Sequence, residues 1–332
     1  MFKSFAVAAC MIALAGPASA QTACDGAIAA LTSSFTAGDV PTVITAWAAV
    51  QASPDCPAAT VTGARSQTSA VVARAAQAAH ATGDIDGAEA IVLQAPGMHW
   101  AVQAVRGDIA AARGQRDEAA KLYTAALDTL GDPGLTVQSE QLVPVATRLA
   151  QLAQENMMLA GSMNTTISRG GKATGVMGMV TRGLVIEKVP EGGATATADP
   201  AYVDPEYNVV TAAAALVNTV FLPIRFDFDS DQLDADGVRE ALRLSEFLKA
   251  NYVREINIIG HTDDVGNADY NLDLSLRRAE SLAAFLVSEG GQTGITVEGR
   301  GEFEPPNVVD AGVYSIEEFR TIARRVEVSF DY

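Results

Sequence analysis

The chain has 332 residues, 48% of them apolar, and carries a formal charge of −17. That length can bury one large core or two ordinary ones. The charge, with no basic stripe, excludes a nucleic-acid backbone as partner and weighs against non-specific adhesion to anionic lipid.

The first twenty residues, MFKSFAVAACMIALAGPASA, have the layout of a signal peptide. Lys3 supplies the positive end, Phe5 to Ala15 the apolar core and Ala18-Ser19-Ala20 a small-residue cleavage site, so Gln21 is the expected mature start. The apolar run is too short to span a bilayer, and no later run of about 20 apolar residues follows, so no transmembrane segment is expected in the mature chain. Lipidation is the lesser alternative. Cys10 precedes most of the apolar core, and Cys24 lies four residues past Ala20. Cys24 and Cys56 remain after cleavage, an even count in an oxidising compartment, and are expected to form a disulfide across the first helical hairpin.

Residues 21–163 are rich in Ala, Leu, Val and Gln at helical spacing and predict an α-helical array. Turn signals recur at 36–39 (TAGD), 81–84 (ATGD) and 112–115 (ARGQ). Gly83, Asp86 and Ala88 align with Gly114, Asp117 and Ala119 at a spacing of 31 residues. The stretch AARGQRDEAAKLYTAAL resembles a tetratricopeptide-type helix-turn-helix, although that family repeats at about 34 residues. A generic array of α-hairpins would show the same pattern. Residues 164–218 collect Gly, Thr and Pro around one strand-like run, LVIEKV, and are expected to be a linker or insertion.

From 219 the apolar period alternates between two and 3.6. FLPIRFDF (221–228) places Leu222, Ile224, Phe226 and Phe228 on one strand face. A helix is expected over 236–250, a strand in EINIIGHT, a helix from Asn271, a strand in GITVEGRG, a last helix in YSIEEFRTIARR and a final strand in RVEVSFDY. On the helix from Asn271, the wheel puts Leu272, Leu276, Ala279, Ala283 and Leu286 on the buried stripe. Arg278 flanks that stripe, whereas Arg277 points outward with Asp273 four residues before it. This alternation predicts an α/β sandwich, with too few strands in succession for a membrane barrel.

Five motifs in order carry a resemblance: FDFDSDQL (226–233), GHTDDVG (260–266), NLDLSLRRA (271–279), GRGEFEPP (299–306) and RRVEV (324–328). Residues 219–332 resemble the OmpA-like peptidoglycan-binding domain. The fold this implies is β-α-β-α-β with a further helix and strand, behind the α-helical N-terminal array. The resemblance also implies non-covalent binding of the peptidoglycan stem peptide through its diaminopimelate residue, whose side chain ends in an ammonium and a carboxylate. By position in the motifs, Asp263 and Arg278 are the implied charge pair. Asp227 occupies a further acidic position, and Thr262 and Gly266 come with GHTDDVG. Asn271 is read as the helix cap first and a ligand contact second. Where the family commonly has Asn before RRV, this chain has Ala323.

Without a ligand, Asp263 and Arg278 would be an internal ion pair, and Asp227 a solvated acid at a strand end. A calcium loop over 227–238 fails at its sixth and twelfth positions, Gln232 and Val238. The histidines, His80, His99 and His261, have no metal-ligand spacing, and no GxSxG or HExxH pattern occurs. His261 reads as a strand-end residue hydrogen-bonded to the sheet. The expectation is a non-enzymatic protein with no cofactor and no metal, in the periplasm and associated with the cell wall, with the outer membrane a further option. Its helical region would meet an envelope protein or act as a spacer. The alternative is an envelope scaffold acting through that region without binding peptidoglycan.

Overall fold

The computed structural model describes residues 17–162 and 219–331, apart from 38, 138, 140, 228, 254 and 291–293. The signal-peptide core, the expected linker with its strand-like run, and Phe228 lie outside the described residues. The first region is helical: α1 (Pro17–Ala37), α2 (Val40–Ala52), α3 (Ala58–Ala81), α4 (Ile85–Val92), α5 (Trp100–Ala112), α6 (Arg116–Leu130) and α7 (Leu142–Ala160). Some of its starts are capped by side chains that satisfy free backbone N–H groups, Asp39 for Thr42 in α2 and Asp84 for Gly87 in α4. The repeated turns are equivalent in structure. Gly83 and Gly114 both adopt left-handed backbone, at φ +83° and +72°, and Ala88 and Ala119 both sit fully buried one turn later.

Cys24 and Cys56 are joined in a disulfide, with Cα atoms 5.1 Å apart, tying α1 to the loop after α2. Around it a small apolar cluster of Leu31, Val43, Trp47, Val50 and Val71 holds the first three helices. The main core begins at α3 and runs without a break through α7 into the C-terminal sheet. No helix of the described residues is long and apolar enough to cross a membrane.

The C-terminal region is β1 (Thr219–Leu222), α8 (Ala235–Ala250), β2 (Glu255–His261), α9 (Ala268–Gly290), β3 (Gly294–Gly301), a 3₁₀ turn (Ala311–Val313), α10 (Ile316–Ala323) and β4 (Val326–Asp331). The sheet order is β1-β4-β2-β3. β4 runs antiparallel to both neighbours, and β2 and β3 are parallel, as a helical crossover such as α9 permits. Gln154 of α7 accepts the Phe221 N–H at 2.6 Å, so the β1 edge is covered by the helical region.

Two expectations change here. The strand expected over 221–228 ends at Leu222, because Pro223 has no N–H to continue the ladder. The alternation persists without the strand: Leu222 and Ile224 are buried and Arg225 and Asp227 exposed. The buried stripe of α9 is also rotated. Leu274, Ser275, Ala279, Leu282 and Leu286 are buried, whereas Leu272 and Leu276 are 40% and 36% exposed. The cause lies in the strands beneath. A Cβ on Gly260 would stand 2.1 Å from the Ser275 carbonyl oxygen, and one on Gly299 would stand 2.7 Å from Ser275 Oγ. Two bare strand positions let the helix backbone drop onto the sheet at Ser275.

Gly260→Ala should therefore lower unfolding free energy by about 3 kcal/mol in urea titration, since backbone rather than a flexible side chain must move. Gly63→Ala, where a Cβ meets nothing within 4 Å, should not destabilise.

Candidate functional site

The site begins where β2 leaves the sheet. The Thr262 N–H bonds to Gly301 O at 2.9 Å, and the His261 N–H to Arg325 O at 3.0 Å, so the exit direction is held from both neighbouring strands. Asp263 then turns back to accept the Val265 N–H at 3.1 Å. Gly266 follows at φ +111°, a conformation that only glycine adopts without strain.

Asn271 is not the helix cap. α9 starts at Ala268, and Asn267 caps it, accepting the N–H groups of Asp269 and Tyr270 at 3.0 and 3.1 Å. Asn271 is 4% exposed, inside the helix. Its amide donates to Asp263 O (3.3 Å), Val265 O (3.2 Å) and Glu302 Oε2 (2.6 Å). It is a strut for the acidic loop. Both Asn267 and Asn271 suit a cap by residue type, and only the place where the chain begins to coil distinguishes them.

α9 brings Arg278 to the same loop. Its Nε donates to Ser230 O at 3.0 Å, and the guanidinium lies over the Phe226 ring at 5.2 Å. The two terminal amino groups make no hydrogen bond among the described residues. Burial lowers its pKa, with Tyr270, Asp263 and Asp229 pulling the other way. Arg277 faces outward to Asp273 and, at 3.6 Å, Asp231.

Asp227, Thr262, Asp263, Gly266, Asn271 and Arg278 all line one cavity of about 670 Å³, within the usual size of small-ligand sites. Asp227 is exposed at the rim, and Thr262 is a buried part of the wall. Further residues stand there, Arg324, Arg320 and Tyr270 among them. Arg324 pairs with Asp263, whose side chain is 13% exposed. Arg320 bonds Asp264 at 2.7 Å and Glu317 at 3.0 Å, which lowers the Asp264 pKa. Tyr270 donates to Asp229 at 2.6 Å. The simple expectation of Asp263 facing Arg278 thus lacks a third party, Arg324, whose signal was the first Arg of RRVEV. The second, Arg325, is structural. It is 4% exposed, bonds Glu327 at 2.6 Å and lies over Phe221 at 5.2 Å. A smaller, more apolar cavity of about 290 Å³ adjoins the site across Asp263 and Arg320, and Ala323 lies in its wall.

This order of strands, helices and charged loops has a match among known families. Residues 225–312 fit the model of the OmpA family. The C-terminal region is an OmpA-family domain. Outer membrane porin F of Pseudomonas aeruginosa is 33% identical over 146 residues, 44% of this chain and 39% of its own. The peptidoglycan-associated lipoprotein of Mesorhizobium japonicum is 39% identical over 67 residues, 20% of this chain and 40% of its own. The solved peptidoglycan-associated lipoprotein from Burkholderia pseudomallei is 27% identical, covering 34% of this chain and 90% of its own, at a TM-score of 0.28. The match to each of the two curated relatives spans about two fifths of that relative's length.

Within the OmpA domain, His261 departs from the expected strand-end hydrogen bonding. Its backbone joins the sheet, but neither ring nitrogen has a hydrogen-bond partner among the described residues, and the residue is 2% exposed. Glu327 Oε1 lies 3.4 Å from Nε2, yet that oxygen is already taken by Arg325 at 2.6 Å. Burial, with Arg325 and Arg300 nearby, pushes the imidazole pKa down to about 3.

Two outcomes follow for the OmpA domain. Asn271→Ala should cost about 1–3 kcal/mol in chemical denaturation. Asn271→Asp should cost more despite its size, because a carboxylate would face two carbonyls and Glu302. For His261 the unfolded ring takes up its proton near pH ~6.5, before the folded one does. Its contribution is therefore present above that value and lost as pH falls towards about 3. Ring NMR shifts at about pH 5 should be those of neutral imidazole; an imidazolium signal there would show that burial does not govern this group.

Proposed function

We propose that this chain is a non-enzymatic cell-envelope protein whose OmpA domain holds the peptide stem of peptidoglycan without a covalent bond. The ligand group is the side chain of diaminopimelate, with its ammonium on Asp263 and its carboxylate on Arg278. One observation carries the reading. A carboxylate and a guanidinium stand on the wall of one cavity, and the terminal amino groups of Arg278 have no hydrogen bond among the described residues. A guanidinium in that state can take a carboxylate through two parallel hydrogen bonds. A carboxylate has lone pairs for about four bonds, so Asp263 can hold Arg324, the Val265 N–H and an ammonium together. The relative from Mesorhizobium japonicum, a peptidoglycan-associated lipoprotein, points the same way.

On this reading Asp227 and Asp229 form an acidic rim of the cavity, and Asn271 acts by holding the loop. The protein would work in the periplasm at the cell wall, near the outer membrane, and its helical region would be a spacer or meet an envelope protein. A scaffold acting through that region is the second reading, favoured by the core that runs unbroken from α3 into the sheet.

The test is co-sedimentation of the protein from Gln21 onward with purified diaminopimelate-type sacculi. Wild type should pellet. Asp263→Ala and Arg278→Ala, folded by circular dichroism, should each lose affinity by about 1–3 kcal/mol, roughly five- to 150-fold, because a charged ligand group is left unpaired. Arg278→Lys should rescue little, having no planar fork. A wild type that stays in solution would sink the ligand reading and put the scaffold first.

A further inference from the structure

We infer that the helical region positions the arginine side of the OmpA pocket, with Glu155 and Arg116 as positioning residues; the affinity part of the test rests on the ligand reading above. The pocket draws Arg320 and Arg324 from α10 and the residue after it. α10 has eight residues, too few to be stable alone, and it follows a segment from 302 to 315 whose regular structure is a single 3₁₀ turn. Its placement must come from contacts made elsewhere.

Several of those contacts come from α6 and α7. Glu155 is fully buried, with its two carboxylate oxygens on different parts of the segment. Oε1 accepts the Val309 N–H at 2.7 Å, and Oε2 accepts the Tyr314 hydroxyl at 2.6 Å. One turn earlier, Gln151 donates to Asn307 O. Arg116, at the start of α6, lies 5.5 Å from the Tyr314 ring centroid and pairs with Glu318 in the first turn of α10. Glu318 also closes the capping box with Ser315, so the Arg116 contact falls on the group that starts the helix. A line of bonded groups therefore runs from Glu155 through Tyr314 and the cap to α10. It ends on Arg320 against Asp264 and Arg324 against Asp263.

Burying an acid costs free energy unless its oxygens are bonded, and burial raises the pKa of Glu155 accordingly. Two donors at fixed positions set the direction of the segment as well as its distance. Apolar packing alone would not do so, because it is non-directional.

The experiment uses the full chain from Gln21 onward and a diaminopimelate-containing tripeptide as probe, by calorimetry. Glu155→Ala should weaken binding by about 3- to 30-fold and raise hydrogen exchange over 307–323, leaving α9 unchanged. Glu155→Gln should recover both, since its amide oxygen can accept from Val309 and its NH₂ can donate to the Tyr314 oxygen. That rescue is the reading that a general loss of stability would not give. Arg116→Ala should shift both readouts in the same direction, and it decides the matter if Glu155→Ala fails to fold. Wild-type affinity in folded Glu155→Ala, unchanged exchange over 307–323, or no rescue by glutamine would overturn the inference. If wild type itself does not bind the tripeptide, the ligand reading fails, and the exchange pattern alone decides the positioning role.

Discussion

A close backbone approach, α9 against β2 and β3 at Ser275, governs the geometry of the site. Gly260 and Gly299 remove the side chains that would hold the helix off the sheet. Ser275 Oγ then accepts the Gly301 N–H at 2.9 Å and donates to Leu272 O at 2.7 Å. With that contact made, Asn271 lies one turn before the contact, beneath the loop after β2, and Arg278 lies one turn beyond it, on the cavity wall. A helix held farther out would separate all three. The pocket is therefore a consequence of two absent side chains as much as of the charged ones present.

Charge is the second constraint. The chain is acidic overall, and the loop after β2 adds Asp263 and Asp264 side by side. Each has its own arginine, Arg324 and Arg320, both from the far side of the cleft. These pairs are partly exposed and contribute little to global stability. Their effect is local, holding two carboxylates of like charge in fixed directions at the cavity mouth. Arg278 differs because its only hydrogen bond within the described residues is made by Nε, while Phe226 supports its face. A cation half-sheltered by an aromatic ring, with both terminal amino groups unspent, is a better recognition group than one already committed to a carboxylate.

The helical region is joined to the OmpA domain by more than chain connectivity. Apolar packing is continuous between α7 and the sheet. Polar contacts from Gln154, Glu155 and Arg116 reach the β1 edge and the segment before α10. The repeated left-handed glycines at 83 and 114 build the hairpins that deliver α6 and α7 to that surface. The family match covers residues 225–312, and the polar interface at Phe221, Val309 and Tyr314 lies about its two ends.

Period in the sequence was enough for the helical array and the α/β order, and the two cysteines left after cleavage for the disulfide pairing, while the resemblance to the OmpA-like domain pointed to the six residues that line one cavity. Those features depend on local spacing or on residue types that few other arrangements can use. Tertiary structure decided which neighbour each group faces. The wheel of α9 placed Leu276 inside and was wrong, because an apolar pattern cannot report two glycines on strands elsewhere in the chain. Asn271 looked like a cap because the rule for caps is local, whereas its partners, Asp263, Val265 and Glu302, are set by the fold. Arg324 stood in view within RRVEV, yet nothing local distinguishes it from Arg325, which the sheet buries. Glu155 carried no signal among the helical residues, since its partners Val309 and Tyr314 lie more than 150 residues away. Local spacing is written in the order of residues; long-range apposition depends on how packed surfaces meet, and no short window of sequence contains both surfaces.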